Sequence, residues 1–142
     1  MSTRNDKGEE SAMSEGKQSI RSVKANERTI LPGPEDAPFV REEMFGNGHV
    51  WMGIVTLEPG CASPWHHHGK HETYAYMLEG EAIIEHGSGG RQRLNATADG
   101  SLHIIPPGTP HRELNPGSER NRLLVVRVGE GPPVFPLEGP PA

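Results

Sequence analysis

Apolar and polar residues alternate in short runs, and turn residues separate the runs. Residues 50–58 read VWMGIVTLE after Gly46-Asn47-Gly48, a tight-turn signal ahead of a half-buried strand. Residues 39–45, 73–78, 81–85, 91–96, 102–105 and 122–128 are similar, and RLLVVRV at 122–128 is the strongest β run. Leu78-Glu79-Gly80-Glu81 predicts a tight reversal, and Gly87 to Gly90 a loop tip. No run of ten residues has helical periodicity. Eight or nine short strands predict an all-β sandwich or barrel, and a jelly-roll barrel leaves room for an interior pocket.

Composition sharpens this picture. Gly 18 and Pro 14 in 142 residues suit a turn-rich β fold and disfavour a helical bundle. Residues 1–28 hold 11 charged and six apolar residues, with no proline, histidine or aromatic. That stretch cannot bury enough surface to offset its ordering entropy. It is expected to be a polar arm, flexible or partly strand-exchanged, with residues 19–28 the best candidate for an edge strand. Residues 29–142 are expected to form the barrel. A net charge of −5 argues against a nucleic-acid partner. No apolar run is long enough for a membrane helix, and the N-terminal residues lack a secretory apolar core. The single Cys61 reads as a small buried hydrophobe, and a reducing cytoplasm is the expected compartment.

Histidine is the unusual entry, at eight residues, and four of them fall in Trp65-His66-His67-His68-Gly69-Lys70-His71. On an extended chain His66 and His68 project to one face and His67 to the other. Two imidazoles on one face can share a metal ion, but a third donor must come from elsewhere. His111, held in the Pro106-Pro107-Gly108-Thr109-Pro110 turn, is the candidate. Three histidines suit one divalent transition metal, such as Zn, Fe, Ni, Cu or Mn. His49, His67 and His86 need no special role. Trp51, Met52, Tyr74, Tyr76 and Met77 read as core or pocket wall.

The spacing Gly60-x5-His66-x-His68-x4-Thr73-x6-Gly80 resembles the first signature of the cupin superfamily. Gly100-x5-Pro106-x-Gly108-x2-His111-x3-Asn115 resembles the second at every fixed position. The resemblance implies a cupin-type jelly-roll β-barrel (double-stranded β-helix) with His66, His68 and His111 as metal ligands. The signature's glutamate ligand aligns with Thr73, while Glu72 is one residue off and faces the other way. The fourth donor is therefore open between His103, His71, Glu72, Thr73 and water, with His103 or His71 favoured. His103, His71 and Arg112 are the expected catalytic residues, Arg112 by binding an acidic group of a small-molecule substrate.

Such a site implies an enzyme acting on an oxygen-bearing, aromatic or polyketide-like molecule. Its metal would serve Lewis-acid cyclase or isomerase chemistry, or oxygenase chemistry. The alternative is a non-catalytic small-molecule-binding or regulatory protein. A homodimer is expected.

Overall fold

The computed structural model describes residues 19–32 and 39–142. Most of the expected N-terminal arm lies outside the described residues. Among the described residues, eleven strands form two antiparallel sheets. The first sheet has the order β1 (Thr29–Pro32), β2 (Phe39–Gly46), β3 (Val50–Leu57), β10 (Asn121–Val128), β5 (Glu72–Glu79), β8 (Leu102–Ile105). The second has the order β11 (Phe135–Pro136), β4 (His66–His67), β9 (His111–Leu114), β6 (Glu81–His86), β7 (Gln92–Thr97). Edge pairing does recruit a segment before β2, but from Thr29–Pro32; residues 25–27 form a single 3-10 turn instead. The proline-rich segment after β10 contributes only the edge strand β11, as the missing proline N–H groups require.

Turn chemistry sets the register. Asn47 Oδ1 accepts from the N–H groups of His49 and Val50 at 2.9 Å, which closes the β2–β3 hairpin. The expected reversal at Gly80 is a corner, not a hairpin. β5 stays in the first sheet and pairs with β10 and β8, while β6 pairs with β7 and β9 in the second. Gly80 has φ +77°, and a Cβ there would sit 3.1 Å from Asn121 Cα. Asn121, fully buried, ties the corner by donating to Glu81 O and accepting from the Leu57 N–H.

Asn115 plays the same part at another crossing. Its amide donates to Leu57 O and Glu119 O and accepts from the Gly117 N–H. The fixed asparagine of the second signature is thus a buried backbone clamp, 1 % exposed.

Register decides what faces inward. Arg127 lies opposite Trp51 and Thr73, Val125 opposite Gly53 and Ala75, and Leu123 opposite Val55 and Met77. These odd-numbered positions face the second sheet, and Ala75, Met77, Ala82, Ala96, Leu123 and Val125 form the core cluster. Tyr74 and Tyr76 have the opposite parity and lie on the outer surface, with Tyr76 38 % exposed. Neither they nor Met52 line the interior cavity, so the expectation of a tyrosine and methionine pocket wall fails there. Met77 is core, and Trp51 packs against it.

Candidate metal centre

Two strands and a turn bring the histidines together. His66 and His111 are direct partners across β4 and β9, so their rings share a face. His68 follows β4 by one residue and returns to that face. The three ring centroids are 4.5, 4.9 and 5.1 Å apart. One ring nitrogen of each lies within 4.8 Å of the others. His111 and His68 are buried, and His66 is half-buried.

The backbone fixes which nitrogen each ring offers. His66 Nδ1 lies 2.8 Å from Pro64 O, His68 Nδ1 2.8 Å from Pro133 O, and His111 Nδ1 2.9 Å from Thr109 O. A carbonyl oxygen can only accept, so each Nδ1 must carry the hydrogen. In the neutral ring Nε2 then keeps its lone pair, the arrangement a metal-binding histidine needs. Burial disfavours the charged imidazole and lowers the His66 pKa, and it drives His68 down to about 3, with nearby Arg127 adding to the fall. Both rings are therefore neutral at pH 7. Burial works the same way on His111, but the Glu113 carboxylate outweighs it and the net shift is upward.

Glu113 was not singled out in the sequence, yet it stands beside this cluster at His111. It lies two residues past His111 on β9 and so shares its face. Its Oε2 is 3.1 Å from His111 Nε2. The approach is off hydrogen-bond alignment, and His111 Nε2 remains a buried nitrogen without an aligned partner. Burial alone would raise the Glu113 pKa, but the three histidines reverse that and hold it well below the usual carboxylate range. The signal available in the sequence was His111-x-Glu113, the same period-2 pattern as His66-x-His68.

The other expected site residues are elsewhere. Thr73 is buried and lines the cavity, with an unpartnered Oγ1, so the signature's glutamate position is an inward-facing hydroxyl here. Glu72 faces outward and accepts from the Tyr74 hydroxyl. His71 is buried, but the turn at Gly69 and Lys70 carries it away from the cluster. Its Nδ1 donates back to His68 O at 3.1 Å, and its ring lies beside Gly129. His103 faces inward opposite Ala75, in a neighbouring cleft of about 130 Å³ that His111 also borders. Its Nε2 is buried without a partner, and it does not join the three convergent rings. Arg112, adjacent to His111, projects to the opposite face by strand alternation. There it donates to Glu85 Oε1 at 2.7 Å and covers the Trp65 ring. It does not reach the cavity and is not placed to bind a substrate's acid group.

His66 and His68 line a cavity of about 470 Å³ between the sheets, and His111 lies behind them, bordering the smaller cleft. Its wall is mostly aliphatic, with Phe39 and Trp65 as the aromatic contributors and Arg41, Glu113 and Arg127 as the charged ones. The segment after β10 helps to close it. Val134 and Pro136 line the cavity, β11 pairs with β4, and His67 stacks on Phe135 at 4.8 Å. Three converging imidazoles, two of them held neutral, a buried Nε2 without an aligned partner and one adjacent carboxylate fit a divalent transition metal. Among the described residues no helix is long and apolar enough to cross a membrane.

Comparison with known proteins agrees with this fold. A chain from Klebsiella pneumoniae, described as an uncharacterised conserved protein with a double-stranded β-helix domain, superposes with a TM-score of 0.63. It is 22% identical over 86% of this chain and 99% of its own. A structure of Fe(II)-HppE with an alternative substrate superposes with a TM-score of 0.66, at 17% identity over 75% of this chain and 59% of that one. Germin-like protein 3-7 of Oryza sativa subsp. japonica is 26% identical over 114 residues, 73% of this chain. The alignment spans only 49% of that relative's length. Residues 53–127, which include both histidine motifs and the strands that frame them, match the cupin domain, and the chain belongs to the cupin family.

Proposed function

We propose that this cupin is a metal-dependent enzyme in which His66, His68 and His111 hold one divalent transition metal, Zn, Fe, Ni or Mn. The observation that carries this reading is the set of three Nδ1–carbonyl hydrogen bonds, which leaves Nε2 of each ring as the nitrogen available to a metal, with one ring nitrogen of each within 4.8 Å of the others. A bound metal would supply Lewis acidity toward a substrate oxygen, or hold oxygen and substrate together if it is iron. The Fe(II) named for the HppE neighbour supports a redox-capable metal in this scaffold.

The chain's own groups define the rest. Glu113 supplies the carboxylate that the family signature puts at position 73, displaced from β5 to β9. It stands beside His111 as fourth donor or as the group that takes a substrate proton. The largely apolar wall lowers the polarity around the reacting end of the cavity. The substrate is an oxygen-bearing small molecule. With Tyr74 and Tyr76 outside, Trp65 and Phe39 remain to favour an aromatic or polyketide-like body.

Elemental analysis of the purified protein tests the centre first. His66→Ala and His68→Ala are each expected to lose the metal, and Glu113→Gln to weaken it by about 10- to 100-fold. A His68→Ala protein that keeps its metal overturns the assignment. Oxygen consumption by the iron-loaded protein separates oxygenase from Lewis-acid chemistry. Metal and ligand bound with no turnover would identify a binding module instead.

A further inference from the structure

We propose that the cavity takes an amphipathic organic acid, whose carboxylate is anchored by Arg127 and Arg41 and whose apolar body lies along the aliphatic wall. This deepens the proposed function by naming the substrate's charged group, and it rests on that reading only for the chemistry at the metal centre.

Four arginines elsewhere in the fold are matched, while Arg21, Arg91 and Arg120 are exposed to solvent. Arg28 pairs with Glu42, Arg93 and Arg112 with Glu85, and Arg122 with Glu79. Arg127 and Arg41 form no ion pair among the described residues, and both line the cavity. Arg127 is 5 % exposed and its Nε has no partner; the Arg41 Nε is likewise buried and unpartnered. Leaving a guanidinium buried without an acceptor is costly, and folds avoid it unless something is gained.

Packing accounts for part of each side chain. Arg127 lies 4.3 Å over the Trp51 ring and Arg41 5.9 Å from the Phe39 ring centroid. Stacking uses the faces of a guanidinium and leaves its in-plane N–H groups free. Those groups match a carboxylate in two-pronged geometry. The surrounding wall, with Val55, Leu57, Leu123 and Val125, is apolar and suits a hydrocarbon body.

In the metal-free protein two arginines against Glu113 leave the cavity one net positive charge. A monoanionic carboxylate balances that, and a phosphate dianion overshoots it. Burial and the neighbouring Arg41 lower the Arg127 pKa only to about 10, so its charge persists at neutral pH.

The test can use the protein's own reporters. The chain has two tryptophans; Trp51 stacks on Arg127 and Trp65 lines the cavity. Metal-free full-length protein is titrated with hexanoate and with hexanamide, and tryptophan fluorescence is followed. Hexanoate is expected to give saturable quenching, with hexanamide binding about tenfold weaker or more. Arg127→Met and Arg41→Met are each expected to abolish that preference while keeping the metal stoichiometry of the parent. Equal binding of acid and amide overturns the proposal, as does an unchanged preference in both variants. Displacement of hexanoate by equimolar inorganic phosphate overturns the monoanion assignment. A protein that binds hexanoate but no metal leaves this proposal standing and removes the proposed function.

Discussion

Acidifying the metal-free protein should cost stability through His68 in a calculable way. The ring is 8 % exposed, and burial holds its pKa near 3 against 6.5 for a free imidazole. Between those values the unfolded chain binds a proton and the folded chain does not. Stability therefore falls as pH drops below about 6.5. At pH 4.5 the folded ring is still neutral, so the loss depends on the unfolded value alone. Two pH units at about 1.4 kcal/mol each give about 3 kcal/mol. His66 is shifted the same way and adds to the loss. His111, shifted upward, opposes it by favouring the charged ring below that pH. Glu113 stays ionised in the folded state across this range, and its contribution enters only as pH falls toward and below 4.5. Urea unfolding of chelator-treated protein at pH 7.5 and pH 4.5 measures the total. A His68→Asn chain lacks the titrating ring and should lose about 3 kcal/mol less over the same interval. Equal losses in the two chains would refute the claim that the buried ring is held neutral.

Other outcomes follow from single contacts. Asn115→Ala removes three side-chain hydrogen bonds and strands the Leu57 carbonyl, so chemical denaturation should show a loss of about 2–4 kcal/mol. Gly69→Ala puts a Cβ 2.5 Å from the Phe135 ring at φ +61°, which should displace β11. Because Pro133 O, near that strand, orients His68, the same variant should bind metal more weakly in a chelator competition. His103→Leu should leave metal stoichiometry unchanged, since its ring lies outside the convergent set. Arg112→Ala should leave hexanoate affinity unchanged, because its side chain is on the far face of β9.

Strand identity was legible where period-2 alternation and turn residues agreed, as for β3, β8 and β10. It was not legible for β4, β9 and β11. These have two to four residues and contain histidines and prolines, which have weak strand preference; pairing with neighbours alone makes them extended. The three converging histidines were readable because His66 and His68 share a face and a rigid turn holds His111. The choice among fourth donors was not, because it depends on where strands are carried by turns. Gly69-Lys70 diverts His71, and alternation sends Arg112 outward. Glu113 needs the β4–β9 pairing to be known before its neighbourhood appears. The tyrosines failed for a simpler reason: apolar residues on both faces of β5 hide which face is inside.

The run of four histidines around residues 66–71 has a consequence for how metal and folding are coupled. Folding gives its members different work. His66 and His68 join the centre, His67 stacks on Phe135, and His71 bonds to the backbone. In the unfolded chain they are again neighbours on a flexible backbone and act together as a chelating tag. Metal then binds both states, and its stabilisation of the fold is smaller than its affinity for the finished site implies. The protein carries an affinity handle that shows itself in denaturant: the unfolded chain should be retained on immobilised nickel more strongly than the folded one.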